Sequence, residues 1–473
     1  MSFLIYDLTL LAIFVIFISV FLYSRRKNLQ KEGLLLLYRT EWGIKLINYV
    51  GKKYKRTLKI LSYISIATGY LLMFGMFYLA YTIIKIYIFL PEVVKTIKVP
   101  PIMPLIPYFP SLFNLESFLP PFNFTYWIVI LAVIAISHEF AHGIFAAYDK
   151  IKIKSTGFGF FPFFLPVFLA AFVELDEPKM FKKSKVSQMA ILSSGTFANM
   201  LVAGFFFIVL WLFFSFSFVP SGVVFNDYAY SIVNVKDINM INGVSLENPS
   251  LDEVLGLTTN DSNNEIFVEG EKYVAIKGII KGREDIIALY NDAPAIKKGL
   301  KGAIIEINEI KINSIDKLED ELGKYSPRQE IAVKTKTNSE IFENIIKLEE
   351  HPEKKNLPWL GIGFSNQQRR GFLGKVYSFL GSFKKPHVYY KSKFGAGEFI
   401  YNLLWWLILI SISVALINML PVGIFDGGRF FYLTVLWITG SESKAKKTFK
   451  ASTYFFLFLL LLIMMFWIIS FIK

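Results

Sequence analysis

Ile134-Ala-Ile-Ser-His-Glu-Phe-Ala-His-Gly-Ile-Phe-Ala146 sets two histidines and a glutamate inside a run of residues otherwise suited to lipid. The run contains no proline, so it reads as helix. On a helix His138 and His142 stand one turn apart on one face, and both imidazoles can reach the same metal ion. Glu139 lies about 100° round the axis from His138, where a carboxylate can take a proton from a water that the metal activates. With four histidines in 473 residues, chance produces this spacing with odds of roughly 0.002. The bland alternative is a polar cluster that hydrogen-bonds helices together. It is the weaker one, because ionisable groups in an apolar span are costly and mark function.

The surroundings are those of a membrane protein. Hydrophobic residues make up 54% of the chain and aromatic residues 17%, while the net charge is +14. That charge does not point to nucleic acid, because Lys and Arg crowd the short loops beside apolar spans, as cytoplasmic flanks do. Absence of cysteine excludes disulfides and thiolate ligands, leaving His, Asp and Glu to hold a metal.

Working outward from the motif, its span covers 123–148. Apolar runs of crossing length also occupy 4–24, 60–90, 187–216, 399–420 and 451–472, each enough for ~30 Å of hydrocarbon. Residues 28–59 mix leucines and Trp42 with lysines and read as helix on the inner membrane surface. Residues 91–122 hold eight prolines and read as an external loop rather than a lid. The glycine-rich and aromatic alternation of 157–168 reads as a small sheet tucked against the bundle, whose open edge suits an unwound peptide. Ser193, Ser194, Gly195, Thr196 and Asn199 form a small-polar patch that suits close helix packing, with Asn199 as an alternative donor to a substrate backbone.

From 219 to 350 the composition becomes that of a soluble module. Asp237-Ile-Asn-Met-Ile-Asn-Gly-Val-Ser-Leu246 echoes Gly302-Ala-Ile-Ile-Glu-Ile-Asn-Glu-Ile-Lys-Ile312. The second copy follows Ala293-Pro-Ala-Ile-Lys-Lys-Gly-Leu300 and precedes a helix and a strand, an order that resembles a PDZ domain. One complete and one degenerate PDZ-like unit are expected, as a peptide-capturing groove or a steric gate. The expected fold is a polytopic α-helical membrane protein with about six spans, a small membrane-associated β-sheet and a soluble α+β PDZ-like insert. The expected parts are 1–122, with two spans, a basic inner segment and a proline-rich outer loop; 123–216, the first half of the core; 217–356, the PDZ-like region; 357–396, a strand and interfacial linker; and 397–473, the second half of the core. Loop charges place both termini and the PDZ-like region outside and the motif nearer the cytoplasm.

Two histidines leave a tetrahedral metal one protein ligand short if water is to hold the fourth position. Asp426 is the best candidate: Pro421 breaks the preceding helix, and Gly427 and Gly428 let the backbone turn around the carboxylate. Asn418 lies about a turn earlier, able to donate to a substrate carbonyl or oxyanion. Read alone, this stretch is as readily a plain turn at a helix end.

His138-Glu-Phe-Ala-His142 paired with Asn418-x-x-Pro421-x-x-x-x-Asp426-Gly427 resembles the site-2 protease family, intramembrane zinc metalloproteases of peptidase M50 type. The resemblance covers 123–216 and 399–432. It implies one Zn2+ per chain on His138, His142 and Asp426, Glu139 as general base, and cleavage of a transmembrane helix inside the lipid bilayer. Thr196 stands where many members have proline, and 422–425 lacks the second proline common in bacterial members; both touch the substrate loop rather than the ligands. Asn418 is then a catalytic donor, and Asn199, Pro421 and Gly427 are candidate substrate contacts. The expected partners are a spanning protein substrate, lipid, and a peptide or upstream-cleaved end at the PDZ-like region. Two alternatives stay open: a membrane-surface zinc protease for misfolded proteins with Glu174 or Glu177 as third ligand, and a non-catalytic transporter or receptor whose PDZ-like module senses peptides.

Overall fold

The computed structural model describes residues 3–32, 35–89, 94, 100, 103, 105–116, 119–160, 169–259, 264–275, 282–283, 286–337, 340–364, 374–375, 378–379, 381–472. The chain divides into two compact units, Met1–Phe213 with Glu398–Lys473, and Phe214–Gly397.

In the first unit the helices are α1 (Phe3–Ser24), α2 (Ile44–Lys53), α3 (Lys55–Phe89), α4 (Phe109–Leu112), α5 (Phe124–Tyr148), α6 (Glu177–Phe181), α7 (Lys185–Ser217), α8 (Gly397–Asn418), α9 (Asp426–Thr439) and α10 (Glu442–Ile472). Among the described residues six of these, α1, α3, α5, α7, α8 and α10, are long and apolar enough to cross a membrane. That agrees with the six runs seen in the sequence. The core around α5 is largely aromatic: Trp127 and Trp406 are buried, and each indole N–H donates to a backbone carbonyl, of Leu105 at 2.9 Å and of Pro121 at 3.0 Å. A large ring can thus be buried with its polar handle satisfied.

The start of α5 is held by a residue the sequence does not advertise. Asp7 lies in α1, the most apolar-looking helix, yet it is buried. Its Oδ2 accepts from the Phe124 N–H at 2.8 Å and from the Tyr108 hydroxyl at 2.6 Å, and its Oδ1 accepts from the Thr125 N–H at 2.9 Å. The Thr125 hydroxyl also donates to Oδ1. The first N–H groups of a helix have no partner within it. Asp7 supplies one from a distant helix and sets a negative group at the positive end of the α5 dipole.

Residues 28–59 depart from expectation. Only 44–53 is a separate helix; Leu29–Glu32 (β1) and Leu35–Thr40 (β2) are strands. Among the described residues they form an antiparallel sheet with β3 (Ile153–Phe160) and β4 (Leu169–Leu175), in the order β1-β2-β3-β4. Gly157 makes the pairing possible, since a side chain there would strike the Tyr38 carbonyl. The expected sheet at 157–168 is thus larger and starts earlier, while 161–168 lie outside the described residues. So do 91–93, 95–99, 101–102, 104 and 117–118 of the proline-rich stretch, which is described over 105–116 and carries α4 there.

In the second unit one arrangement occurs twice. Ile238–Ile241 and Val244–Ser245 are joined by a tight turn at Asn242-Gly243, and the helix Leu251–Leu257 and the hairpin Asn264–Val268/Glu271–Ala275 follow. Ala303–Ile307, Ile310–Lys311, Ile315–Leu322 and the hairpin Glu330–Thr337/Glu340–Lys347 repeat the order. In both copies the first strand pairs antiparallel with the first strand of the hairpin. Both turns place two residues at positive φ, Asn242 and Gly243 at 49° and 83°, Asn308 and Glu309 at 43° and 69°, the geometry that matches strand twist. Both helices start at a serine whose side chain accepts a backbone N–H, Ser250 from Glu253 and Ser314 from Lys317. Each copy has its own aliphatic core, around Ile241 and Ile266 and around Ile304 and Ile331.

Candidate metal centre

The four-residue spacing on α5 brings the histidine tips together: His138 Nε2 and His142 Nε2 lie 3.0 Å apart. Asp426 opens α9, after the chain has turned out of α8 through 419–425. The turn is tight enough to need glycine. A side chain at Gly427 would run into the Met419 backbone, and one at Gly428 into that of Val422. The result puts Asp426 Oδ2 at 3.3 Å from Nε2 of both histidines. Among the described residues His138, His142 and Asp426 are the group whose donor atoms can share one ion.

These separations fit zinc. Ligand atoms at roughly 2.0–2.1 Å from a tetrahedral centre stand about 3.3–3.4 Å apart, close to the observed 3.0 and 3.3 Å. Two nitrogens and one oxygen, with the fourth corner free, are a catalytic rather than a structural donor set.

Helix α7 holds the imidazoles from behind. His142 Nδ1–H donates to the Ile191 carbonyl at 2.7 Å, which leaves Nε2 as the ligand. The Asn199 side-chain nitrogen lies 3.1 Å from His138 Nδ1, and its Oδ1 is buried with no partner among the described residues. Exchanging the two amide atoms, which differ only by assignment, gives Oδ1 the Nδ1–H of a neutral His138 and frees Nε2 for metal. The orphaned oxygen is what a metal-binding tautomer of His138 calls for. Between these two contacts, Gly195 faces the ring tips: a Cβ there would sit 2.5 Å from His142 Nε2 and 2.6 Å from His138 Nε2. Ile191, Gly195 and Asn199 recur every fourth residue, one face of α7.

Glu139 points to the other side. Its Oε2 accepts the Val173 N–H of β4 at 2.9 Å. The centre opens into a cleft of about 550 Å³ lined by Glu139, Asn418, Asp426 and the β4 residues Ala170, Ala171 and Val173. Asn418, the last residue of α8, thus shares the cleft with Glu139 and the metal-binding set. Asn199, Pro421 and Gly427 do not line it. Asn199 is turned to His138, the Pro421 carbonyl accepts from the Ser452 hydroxyl at 3.1 Å, and Gly427 backs onto Met419.

Glu174 and Glu177 border the cleft but stand outside the three-residue set. Glu174 Oε2 is already taken, accepting from the Ser155 hydroxyl at 2.7 Å and from Arg39 Nε at 2.9 Å. The small-polar composition of 193–199 signalled a close approach. It carried no sign that the approach was to imidazoles, which are about fifty positions earlier in the chain.

The profile described as Peptidase family M50 matches residues 126–463. That range takes in the whole of the centre. No curated protein matches the chain.

Proposed function

Because the chain belongs to peptidase family M50, the zinc metalloproteases, and is a multi-pass membrane protein, we propose that it is an intramembrane endopeptidase. Its substrate is a membrane-bound protein, cut at a peptide bond within a transmembrane helix as a step of regulated intramembrane proteolysis. The observation that carries this reading is the convergence of His138, His142 and Asp426 beside Glu139 in a cleft walled by spanning helices.

Zinc held by the two imidazoles and the carboxylate would supply a Lewis acid and a water whose pKa falls toward ~7. Glu139 takes the proton of the attacking water and delivers it to the leaving amine, its carboxyl aimed by the Val173 N–H. Asn418 donates to the carbonyl oxygen as charge builds on it. A helical substrate keeps its carbonyls in internal hydrogen bonds, so the scissile stretch has to unwind first, and glycine, asparagine or proline nearby would ease that. The unwound segment can then add to β4. Val173 N–H faces away from β3, and the alternation of a strand turns the Ala171 backbone the same way.

The repeated module of the second unit is assigned as PDZ-like, holding an extended peptide or the end left by an earlier cut, with the module outside and the centre nearer the cytoplasm. The test is cleavage of a single-span reporter in detergent by the purified protein. Glu139→Ala and Asp426→Asn should each abolish cutting, and undiminished cutting by either would end this assignment.

A further inference from the structure

The corner between α2 and α3 carries a charge cluster that the catalytic cleft does not use. Lys52, Lys53, Lys55, Arg56 and Lys59 fall within eight residues and are all exposed. The sequence holds no acidic residue between Glu41 and Glu92, and among the described residues none of the five cations enters an ion pair. Leu58 of the corner belongs to the same buried cluster as Phe145, Ile151 and Met180, which sets the corner at the end of the bundle where α5 ends. The corner therefore sits at one membrane boundary, where α3 enters the bilayer.

Helix α2 leads from this corner to the metal. Its buried face repeats every four residues against α5: Gly43 meets Phe140, Ile47 meets Gly143, and Gly51 meets Ala147. At Gly51 a Cβ would stand 2.7 Å from that of Ala147, and at Gly143 one would stand 3.0 Å from Ile47. Trp42, just before α2, lies against Phe140 with ring centroids 5.5 Å apart and the rings tilted by 49°. The two helices run in the same sense, in contact over the turns that carry Glu139 and His142. Away from that buried face Leu46 and Tyr49 are each more than half exposed, as is Trp42 at the entry to α2. An apolar and aromatic edge beside cations at a bilayer boundary matches an acyl region meeting phosphate headgroups.

We infer that the α2–α3 corner is a docking surface for anionic lipid headgroups, with Trp42, Leu46 and Tyr49 in the acyl boundary, and that lipid docked there steadies the metal-bearing half of α5. The choice of lipid over a soluble anion rests on the charge complementarity and on the direct continuation of the corner into the spanning helix α3. Each lysine near an anionic surface is worth about fivefold in local binding, so the cluster responds steeply to lipid charge.

The chain has no cysteine, so Leu46→Cys in the full-length protein takes a single environment-sensitive fluorophore. In vesicles of phosphatidylcholine mixed with phosphatidylglycerol the emission should shift to the blue relative to phosphatidylcholine alone. Salt at molar strength should reverse the shift, because the screening length falls to ~3 Å; inorganic phosphate added to neutral vesicles at matched ionic strength should not produce it. The combined substitutions Lys52→Gln, Lys53→Gln, Lys55→Gln and Arg56→Gln should remove it. Reporter cleavage should rise at least about fivefold in the anionic vesicles and lose that rise in the variant. Identical emission in both lipid mixtures overturns the docking surface. A shift with no change in cleavage overturns the coupling to α5. The coupling rests on the protease reading, whereas the emission is read whether or not the chain cuts a substrate, so the two can fail separately.

Discussion

Gly195→Ala is the sharpest perturbation the centre offers. The added methyl would lie 2.5 Å from His142 Nε2 and 2.6 Å from both Nε2 and Cε1 of His138. To restore an ordinary contact, α7 and α5 have to part by about 0.9 Å, or the rings have to turn out of the ligand triangle. Overpacking of this kind costs about 1–3 kcal/mol, which an established fold survives. A displacement of about 1 Å at reacting groups costs on the order of 100-fold in rate, and disturbed ligand support costs about 10–100-fold in metal affinity. The variant should therefore fold, bind zinc about 10–100-fold more weakly in competition with a chelator, and cleave a reporter at least about 100-fold more slowly. Gly204, further along the same helix, is the control, because a Cβ there meets nothing within 4 Å. Gly204→Ala should leave zinc and activity intact and stabilise the helix by up to about 1 kcal/mol. Full zinc content and full activity in Gly195→Ala would refute the account of how α7 supports the imidazoles.

Further outcomes follow from the same contacts. Asp7→Ala should lower stability by about 3 kcal/mol or more, since the N–H groups of Phe124 and Thr125 and the Tyr108 hydroxyl each lose an acceptor worth about 1–3 kcal/mol; a thermal midpoint that moves no more than for an exposed cap, about 1 kcal/mol, would count against it. Asn199→Leu should weaken zinc binding by about 10–100-fold, read by chelator competition, because the Nδ1–H of His138 is left without an acceptor. The Ser155 hydroxyl and the Arg39 guanidinium hold the Glu174 carboxyl below its ordinary range. Its contribution to the sheet is thus complete above the unfolded value of about 4.3 and is lost as pH falls through the lower folded value. Hydrogen exchange of β3 and β4 should quicken in acid, and Ser155→Ala should shift that onset to higher pH.

The parts of this protein legible in its sequence are those set by local periodicity and by transfer to lipid. Six apolar runs became the six crossing-length helices, because length and hydropathy suffice to specify them. The pairing of His138 with His142 needed only the helical repeat, and Asp426 stood out through the proline and glycines around it. Residues 29–32 and 35–40, by contrast, read as surface helix and are strands, because the two pair with each other and β3, which approaches closely at Gly157, pairs with the second. The 14-residue helix α9 was likewise hidden between a turn and the last span. Tertiary structure alone decided that Asp7 starts α5, that Gly195 leaves room for the imidazole tips, and that Asn199 faces His138 rather than the cleft. Each of these depends on a contact between positions far apart in the chain, and no local pattern encodes the partner; burial away from water makes an unmet polar group costly, so the contact, once formed, is held.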